Sequence, residues 1–344
     1  MELFNTLLEG GYEGLHLVSD AKSGLRGLVG IHSTRLGPAL GGTRALSTYA
    51  SEADAIEDVL RLARGMTYKA ALAGLPLGGG KGVIMLPRGP FDRARLFEAY
   101  GRAVEGLGGR YITSEDAGTS PADMELIRRG TRHVVGMQGR GGDPSPVTAF
   151  GVVRGIEAAV RHVFGRQDLK GLRVNVLGVG HVGLALVGEL HQRGAKVAVA
   201  DVAAERVAEA VRRFGATALG VEALVRAEAD VYAPCALGGA INDGTVPLLR
   251  VKVVAGAANN QLAEPRHGEA LAERGIVYVP DYAINAGGLV NVAQELAGYD
   301  RQKALDRASR IHDTIAEILR RSQESGMRPE QIADRMVEEK LAAA

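Results

Sequence analysis

Cysteine is almost missing from this chain. The one thiol, Cys235, leaves no intrachain disulfide, and a Cys-based zinc site, which needs several thiolates, is excluded. Cys235 sits in the apolar run 231–237 and reads as a buried structural thiol rather than a nucleophile. Aromatic residues are scarce at 4%, so the core must be built from Ala, Val, Leu and Ile packed closely with the help of 47 glycines. Charge of one sign is also lacking. Forty-one Lys and Arg face 40 Asp and Glu, so a bulk attraction for nucleic acid or an anionic membrane is not expected. Long apolar runs are absent as well. None approaches the ~18–20 residues of a membrane span. The first ten residues carry Glu2 and Glu9 without a basic stretch, so no secretory signal is expected, and the chain is expected in the cytoplasm.

What is present is a two-part α/β pattern. The 344 residues suit two domains at roughly 100–200 residues each. In the first part, 25–32, 82–86 and 111–113 read as strands. A helix is expected over 52–64, with Ser51 as N-cap and Ile56, Val59, Leu60 and Ala63 as its apolar stripe. A second helix is expected over 91–107. From about Lys170, apolar runs at 172–177, 196–200, 230–233, 251–255 and 276–279 alternate with Ala-rich helical stretches, the rhythm of a parallel sheet. The Gly- and Pro-rich segment 137–146 marks the boundary. The expectation is an N-terminal substrate domain over 1–143 and a Rossmann-like dinucleotide domain over 144–326, with a cleft between them. A C-terminal helix at about 327–344 is expected to pack back on the first domain.

One motif has its structural context. Gly178-Val179-Gly180-His181-Val182-Gly183 follows the strand 172–177 and opens a helix over 181–192. Glycines at this spacing permit a tight turn, close approach of a pyrophosphate and close helix–strand packing, and the helix N-terminus favours phosphate charge. A second strand ends in Asp201, 23 residues after Gly178. An acid there can accept from the ribose hydroxyls and would repel a 2′-phosphate, so NAD is expected over NADP.

The densest chemistry lies between Gly65 and Gly82. Gly79-Gly80-Lys81 is not a P-loop, because Leu75 stands where the first glycine should be and Gly82 where a Ser or Thr should hold magnesium. Lys69 and Lys81 flank this Gly-rich stretch. Among apolar residues a lysine loses water and its charged form is disfavoured, and a second lysine adds to the effect. One ammonium can then hold a substrate carboxylate while the other serves as a neutral base, with Asp116 as a partner in proton transfer.

Several segments together resemble the Glu/Leu/Phe/Val amino-acid dehydrogenases. They are 37–44 (GPALGGTR), 65–69 (GMTYK), 78–81 (GGGK), 111–116 (YITSED), 144–149 (PSPVTA), 258–262 (ANNQL), 280–282 (PDY) and 285–288 (NAGG). The likeness runs from residue 1 to about residue 340 and is nearest the leucine-oxidising branch. It implies an oxidoreductase that deaminates an L-amino acid with NAD to the 2-oxo acid, ammonium and NADH. By this resemblance Lys69 binds the α-carboxylate, Lys81 is the general base that activates water, and Asp116 shuttles protons at the α-nitrogen. Asn260 fixes substrate and cofactor ribose, Thr148 touches the nicotinamide end, and closure of the interdomain cleft excludes water.

The resemblance also places the specificity residues. Leu40 stands where glutamate enzymes of the group have lysine, and Val292 where they have serine; Gly41, Ser114 and Leu289 belong to the same pocket. An apolar Leu40 and Val292 leave glutamate's second carboxylate without a partner, which favours a branched-chain aliphatic substrate. Ser114 differs from both the leucine and the phenylalanine enzymes, while Leu289 and the complete Gly178–Gly183 motif are shared with the latter, so phenylalanine stays an alternative beside glutamate. A non-catalytic binding subunit of a hetero-oligomer is the other alternative, though a sensor has no need of a neutral base. The loop 137–143 is shorter than in leucine enzymes, and the chain ends at Ala344, before the tail they use in subunit contacts. A homo-oligomer is expected, but not necessarily the octamer of that branch.

Overall fold

Two sheets, one mixed and one parallel, each with its own helices, arise from the alternation of short apolar runs and Ala-rich stretches. They are seen in a computed structural model that describes residues 2–137 and 141–344. The chain divides into two compact units. One comprises Met1–Gly142, Val292–Asp300 and Glu339–Ala344, and the other Asp143–Asn291 and Arg301–Glu338. The expected boundary segment includes residues 138–140, which lie outside the described residues.

The first unit opens with helix α1 (Leu3–Glu9), then strands β1 (Gly14–Asp20), β2 (Leu25–Ser33) and β3 (Ala39–Leu46). Helix α2 (Glu52–Leu72), strand β4 (Gly78–Met85), helix α3 (Arg93–Glu105), strand β5 (Tyr111–Glu115) and helix α4 (Pro121–Arg128) follow. The sheet order is β1-β2-β4-β3-β5. β3 runs parallel to β4 and β5, and β2 is antiparallel to β1 and β4. Alternation along the strands gives the sheet two buried faces. Val29, Ile31, Ala39, Ala45, Ile84 and Tyr111 form one core with Leu96, Phe97 and Tyr100 of α3. Leu28 and Val83 form the other with Ala55, Val59 and Leu60 of α2.

Two features differ from the sequence expectation, both because of glycine. Helix α2 does not stop at Arg64 but continues through Gly65 to Leu72. A mid-helix glycine costs ~1 kcal/mol, and burial of Thr67, Tyr68, Ala70, Ala71 and Leu72 offsets it. The Gly-rich stretch 78–80 is not a loop but the start of the central strand β4. A Cβ at Gly79 would lie 2.0 Å from the Thr67 nitrogen, and one at Gly82 2.1 Å from the Tyr100 hydroxyl, so these glycines let helices approach both faces.

The second unit carries helix α5 (Ser145–Phe164), strand β6 (Arg173–Leu177), helix α6 (His181–Gln192), strand β7 (Lys196–Ala200), helix α7 (Ala204–Phe214) and strand β8 (Thr217–Ala218). Helix α8 (Val221–Arg226) and strands β9 (Val231–Pro234) and β10 (Val253–Val254) come next, then helix α9 (Arg266–Glu273) and strand β11 (Val277–Tyr278). Five helices complete the chain: α10 (Asp281–Ile284), α11 (Gly287–Ala293), α12 (Arg301–Ser309), α13 (Ile311–Ser325) and α14 (Pro329–Ala343). The six strands are all parallel, in the order β11-β10-β9-β6-β7-β8. Succession reverses between β6 and β9, the switch point at which doubly wound sheets bind ligands.

The C-terminal helix departs from expectation. It belongs to the second unit as far as Glu338, and only 339–344 groups with the first. In that last stretch Lys340 Nζ donates to the Ala71 carbonyl at 2.8 Å and Leu341 accepts from Arg35 at 3.2 Å. Segment 292–300 also returns to the first unit, which the sequence did not suggest. Among the described residues no helix is long and apolar enough to cross a membrane.

Candidate functional site

The first unit concentrates its charge on the sheet face that α2 covers. Leu40 pairs with Gly79 and with Ile112, and Gly42 pairs with Ser114. Strand alternation therefore puts Leu40, Gly79, Lys81, Ser114 and Arg44 on one face, opposite to Tyr111 and Thr43. Lys81 is 5% exposed, and its Nζ lies 3.1 Å from Asp116 Oδ2. The same oxygen accepts Arg44 Nε at 2.9 Å. Gly42 makes room for this carboxylate, since a Cβ there would stand 2.9 Å from Asp116 Cβ. Asp116 is fastened by its own turn, its N–H donating to Thr119 Oγ1 at 2.8 Å.

The titration directions follow from these contacts. Burial lowers the Lys81 pKa below the ordinary lysine value, and the Asp116 carboxylate offsets only part of that. Burial alone would raise Asp116, but the positive charges of Lys81 and Arg44 outweigh it and hold the carboxyl below its usual range. The site therefore keeps an ionised acid beside a lysine that loses its proton more readily than one in water.

Lys69 lies half-buried in the last turn of α2, two residues beyond Thr67, whose backbone touches Gly79. Thr67 is itself tied to β2, because His32 Nδ1 lies 2.9 Å from Thr67 Oγ1 and His32 Nε2 3.2 Å from the Gly10 carbonyl. A carbonyl only accepts, so Nε2 carries the proton and Nδ1 accepts from the threonine hydroxyl. Gly41 is held through its carbonyl by the buried Tyr111 hydroxyl at 2.7 Å. Of the specificity residues, Leu40 is 1% exposed and Ser114 half-buried in this unit, and Val292 groups with the same unit.

The remaining sequence candidates belong to the second unit. Gly178 adopts φ +92°, and a Cβ on it would meet Ala236 N at 2.6 Å. Gly183 packs against the loop, its Cβ position 2.0 Å from the Gly178 carbonyl. Gly180, the N-cap of α6, has only the Arg206 guanidinium at 3.8 Å from its Cβ position, leaving space in front of the helix. His181 is exposed and Val182 half-buried there. A dinucleotide pyrophosphate fits this cradle, in which two glycines are filled by protein and the third faces open space. Asp201 does more than expected. Its Oδ2 accepts Val179 N–H at 2.8 Å and its Oδ1 accepts Ala203 N–H at 2.9 Å, so it anchors the glycine loop itself. Cys235, just after β9, is half-buried rather than fully covered as expected, and desolvation pushes its thiol up to about 12, which disfavours the thiolate.

Thr148 and Asn260 also fall in this unit. Thr148 packs on Gly288, whose Cβ position is 2.9 Å from Thr148 Oγ1, immediately before Leu289. Asn260 is exposed and has φ 52°, the one positive-φ residue other than glycine among those described. Its carbonyl accepts Gly239 N–H at 2.8 Å, and the next residue, Gln261, is fully buried and donates its own N–H to Asp281 at 2.8 Å. Backbone strain held this firmly at an exposed amide is a feature of ligand sites.

Sequence reasoning assigned no role to Arg44, which pairs with Asp116, or to Asp58 and Tyr49 behind it. The usable signal was a basic residue inside the buried strand β3 and an acid on α2 set 11 residues, about three turns, before Lys69 on the same stripe.

The chain is similar to known proteins along most of its length. Residues 15–133 match the family model described as the Glu/Leu/Phe/Val dehydrogenase dimerisation domain, and 202–337 match the Glutamate/Leucine/Phenylalanine/Valine dehydrogenase model. The leucine dehydrogenase of Bacillus cereus is 50% identical over 346 residues, spanning 100% of this chain and 94% of its own length. The valine dehydrogenase of Streptomyces coelicolor is 48% identical over 342 residues, covering 98% of this chain and 94% of its own. Among solved structures, L-tryptophan dehydrogenase from Nostoc punctiforme superposes with a TM-score of 0.90 at 41% identity, covering 99% of this chain and 98% of that one.

Proposed function

The chain belongs to the glutamate/leucine/phenylalanine/valine dehydrogenase family, and from that premise we propose that it catalyses reversible, NAD-dependent oxidative deamination of a branched-chain aliphatic L-amino acid. The products are the 2-oxo acid, ammonium and NADH. The observation that carries this reading is the buried Lys81–Asp116 pair on the face covered by α2, with Lys69 in the last turn of that helix.

In this reading Lys69 Nζ stays protonated and binds the α-carboxylate. Lys81 Nζ, neutral, takes a proton from the water that adds to the substrate's Cα, and Asp116 returns a proton to the departing nitrogen. Gly178, Gly180, His181, Val182 and Gly183 would hold the dinucleotide's diphosphate, Asp201 its adenosine ribose, and Thr148 and Asn260 its nicotinamide end. The chemistry supplied there by the bound dinucleotide is acceptance of hydride. The negative charge of Asp201 supports NAD over its 2′-phosphorylated form.

Leu40 supports an aliphatic substrate. Setting glutamate's second carboxylate against so buried an apolar side chain, with no partner, costs several kcal/mol. Gly41, Ser114 and Val292 of the first unit, and Leu289 of the second, are the other proposed substrate-contact residues. The chain is proposed to work as a homo-oligomer, in keeping with the dimerisation domain named for the family model over 15–133.

A panel of L-amino acids with NAD and NADP in parallel, read by NADH or NADPH absorbance, tests the reading. Leucine, isoleucine and valine with NAD should be fastest and glutamate slowest, with phenylalanine and tryptophan measuring how wide the pocket is. Absence of reduced cofactor with every amino acid would overturn the proposal.

A further inference from the structure

The two cations on Asp116 are not equivalent. Both reach the same oxygen, Oδ2, Lys81 at 3.1 Å and Arg44 at 2.9 Å. The ion pairs of this carboxylate among the described residues fall on Oδ2. Arg44 is held from its other end. Its Nη1 lies 2.8 Å from Asp58 Oδ2 on α2, which also accepts the Tyr49 hydroxyl at 2.7 Å, while Asp58 Oδ1 takes Arg61 Nη2 at 2.9 Å. Arg44 and Asp58 are largely covered, at 23% and 16% side-chain exposure. A planar guanidinium thus spans two carboxylates, a task one ammonium cannot copy.

We infer that Arg44 is the positioning residue that keeps Asp116 ionised and presents its Oδ1 to the substrate nitrogen, with Asp58 and Tyr49 holding Arg44 for that purpose. The inference rests on the reading of Lys81 as base and Asp116 as proton carrier. Its physical core is a conflict within that reading. Lys81 must be neutral to take a proton from water, and at that moment Asp116 loses the cation beside it. A largely buried carboxylate without a counter-charge takes up a proton and can no longer accept one. The Arg44 guanidinium does not deprotonate, so it supplies the counter-charge through the whole cycle. The charged groups against the Asp116 carboxylate are Lys81 from β4 and Arg44 from β3; the Thr119 hydroxyl bonds its backbone, Tyr111 on the opposite face of the sheet feels its charge, and Asp58, Tyr49 and Arg61 lie at the next remove. Of the two cations in direct contact with it, only Arg44 keeps its charge at every stage.

The experiment compares wild type, Arg44→Met, Arg44→Lys and Asp58→Asn, each checked for folding by circular dichroism. Deamination is followed from pH 6 upward, with separate KM values for cofactor and amino acid. In Arg44→Met, kcat should fall by about 10²-fold, and the acid limb of kcat/KM should move to higher pH as Asp116 becomes easier to protonate, while the KM for cofactor stays unchanged. Arg44→Lys should restore the position of the acid limb but not the rate, because charge returns without the second anchor. Asp58→Asn should shift both in the direction of Arg44→Met, by less. A difference infrared spectrum should show a protonated carboxyl in Arg44→Met that is lost in the Asp116→Asn double variant. An active wild type whose Arg44→Met variant keeps kcat within twofold and the same pH limb would overturn the inference. A wild type inactive on every amino acid would instead overturn the functional reading, and the infrared comparison would still decide whether Arg44 keeps Asp116 ionised.

Discussion

At the scale of single residues, burial decides which groups hold protons. With Lys81 lowered from its ordinary value, deamination should rise with pH and level off below the ordinary lysine pKa of about 10.4. A rate flat across about pH 7 to 10 would remove Lys81 from the role of base. Lys81→Ala should abolish turnover, measured by NADH production. His32 gives a stability counterpart. Burial pulls its imidazole down to about 4, so the native state keeps it neutral while the unfolded chain takes a proton near about 6.5. Between those values the unfolded state binds more protons, and stability is lost as pH falls through that window. His32→Gln should flatten that part of the thermal midpoint against pH, and a slope equal to wild type would contradict the account. Lys69, Lys81, Asp116 and Asp201 were legible in the sequence as charged residues at motif positions. The Arg44–Asp58–Tyr49 chain was not, because its members come from β3, α2 and the turn between them and meet only when α2 lies across the sheet.

At the scale of elements, the glycines separate packing from binding. Gly183 stands 2.0 Å from the Gly178 carbonyl as a Cβ position, and Gly79 stands as close to the Thr67 nitrogen. Gly183→Ala and Gly79→Ala should each lower stability by about 1–3 kcal/mol, read by denaturant unfolding. Gly79→Ala should also raise the amino-acid KM, because α2 carries Lys69. Gly180→Ala has space and an extended backbone at φ −67° and ψ −162°. It should leave the thermal midpoint unchanged yet weaken NADH binding, measured by fluorescence titration. Unchanged binding would remove Gly180 from the phosphate cradle. Periodicity gave α6 and β7 at their observed limits, since amphipathic stretches bounded by Gly and Asp leave little choice. It missed β3 and the first half of β4, where Gly41-Gly42 and Gly78–Gly80 carry the local signature of a turn but sit in a sheet whose neighbours come too close for a side chain, while 82–86 reads correctly as its second half.

At the scale of the molecule, the two sheets have separate cores. The residues of the proposed dinucleotide cradle, 178–183 and Asp201, all belong to the second unit, so Lys81→Ala should bind NADH with an affinity near that of wild type, and a tenfold loss would show that the two proposed sites are not independent in this way. Light scattering should give a solution mass above that of one chain, and a monomer would oppose the proposed assembly. The sequence by itself determined the two-part α/β plan, the glycine loop ahead of Asp201 and the lysines with their acid, because strand and helix periods and motif spacing are local properties of a chain. Only tertiary structure decided that Asp201 also ties down the glycine loop, that the last helix stays mostly with the second unit, and that Arg44 shares an oxygen of Asp116 with Lys81. Those outcomes depend on which distant segments pack together, and on desolvation, which has no value until a side chain is covered.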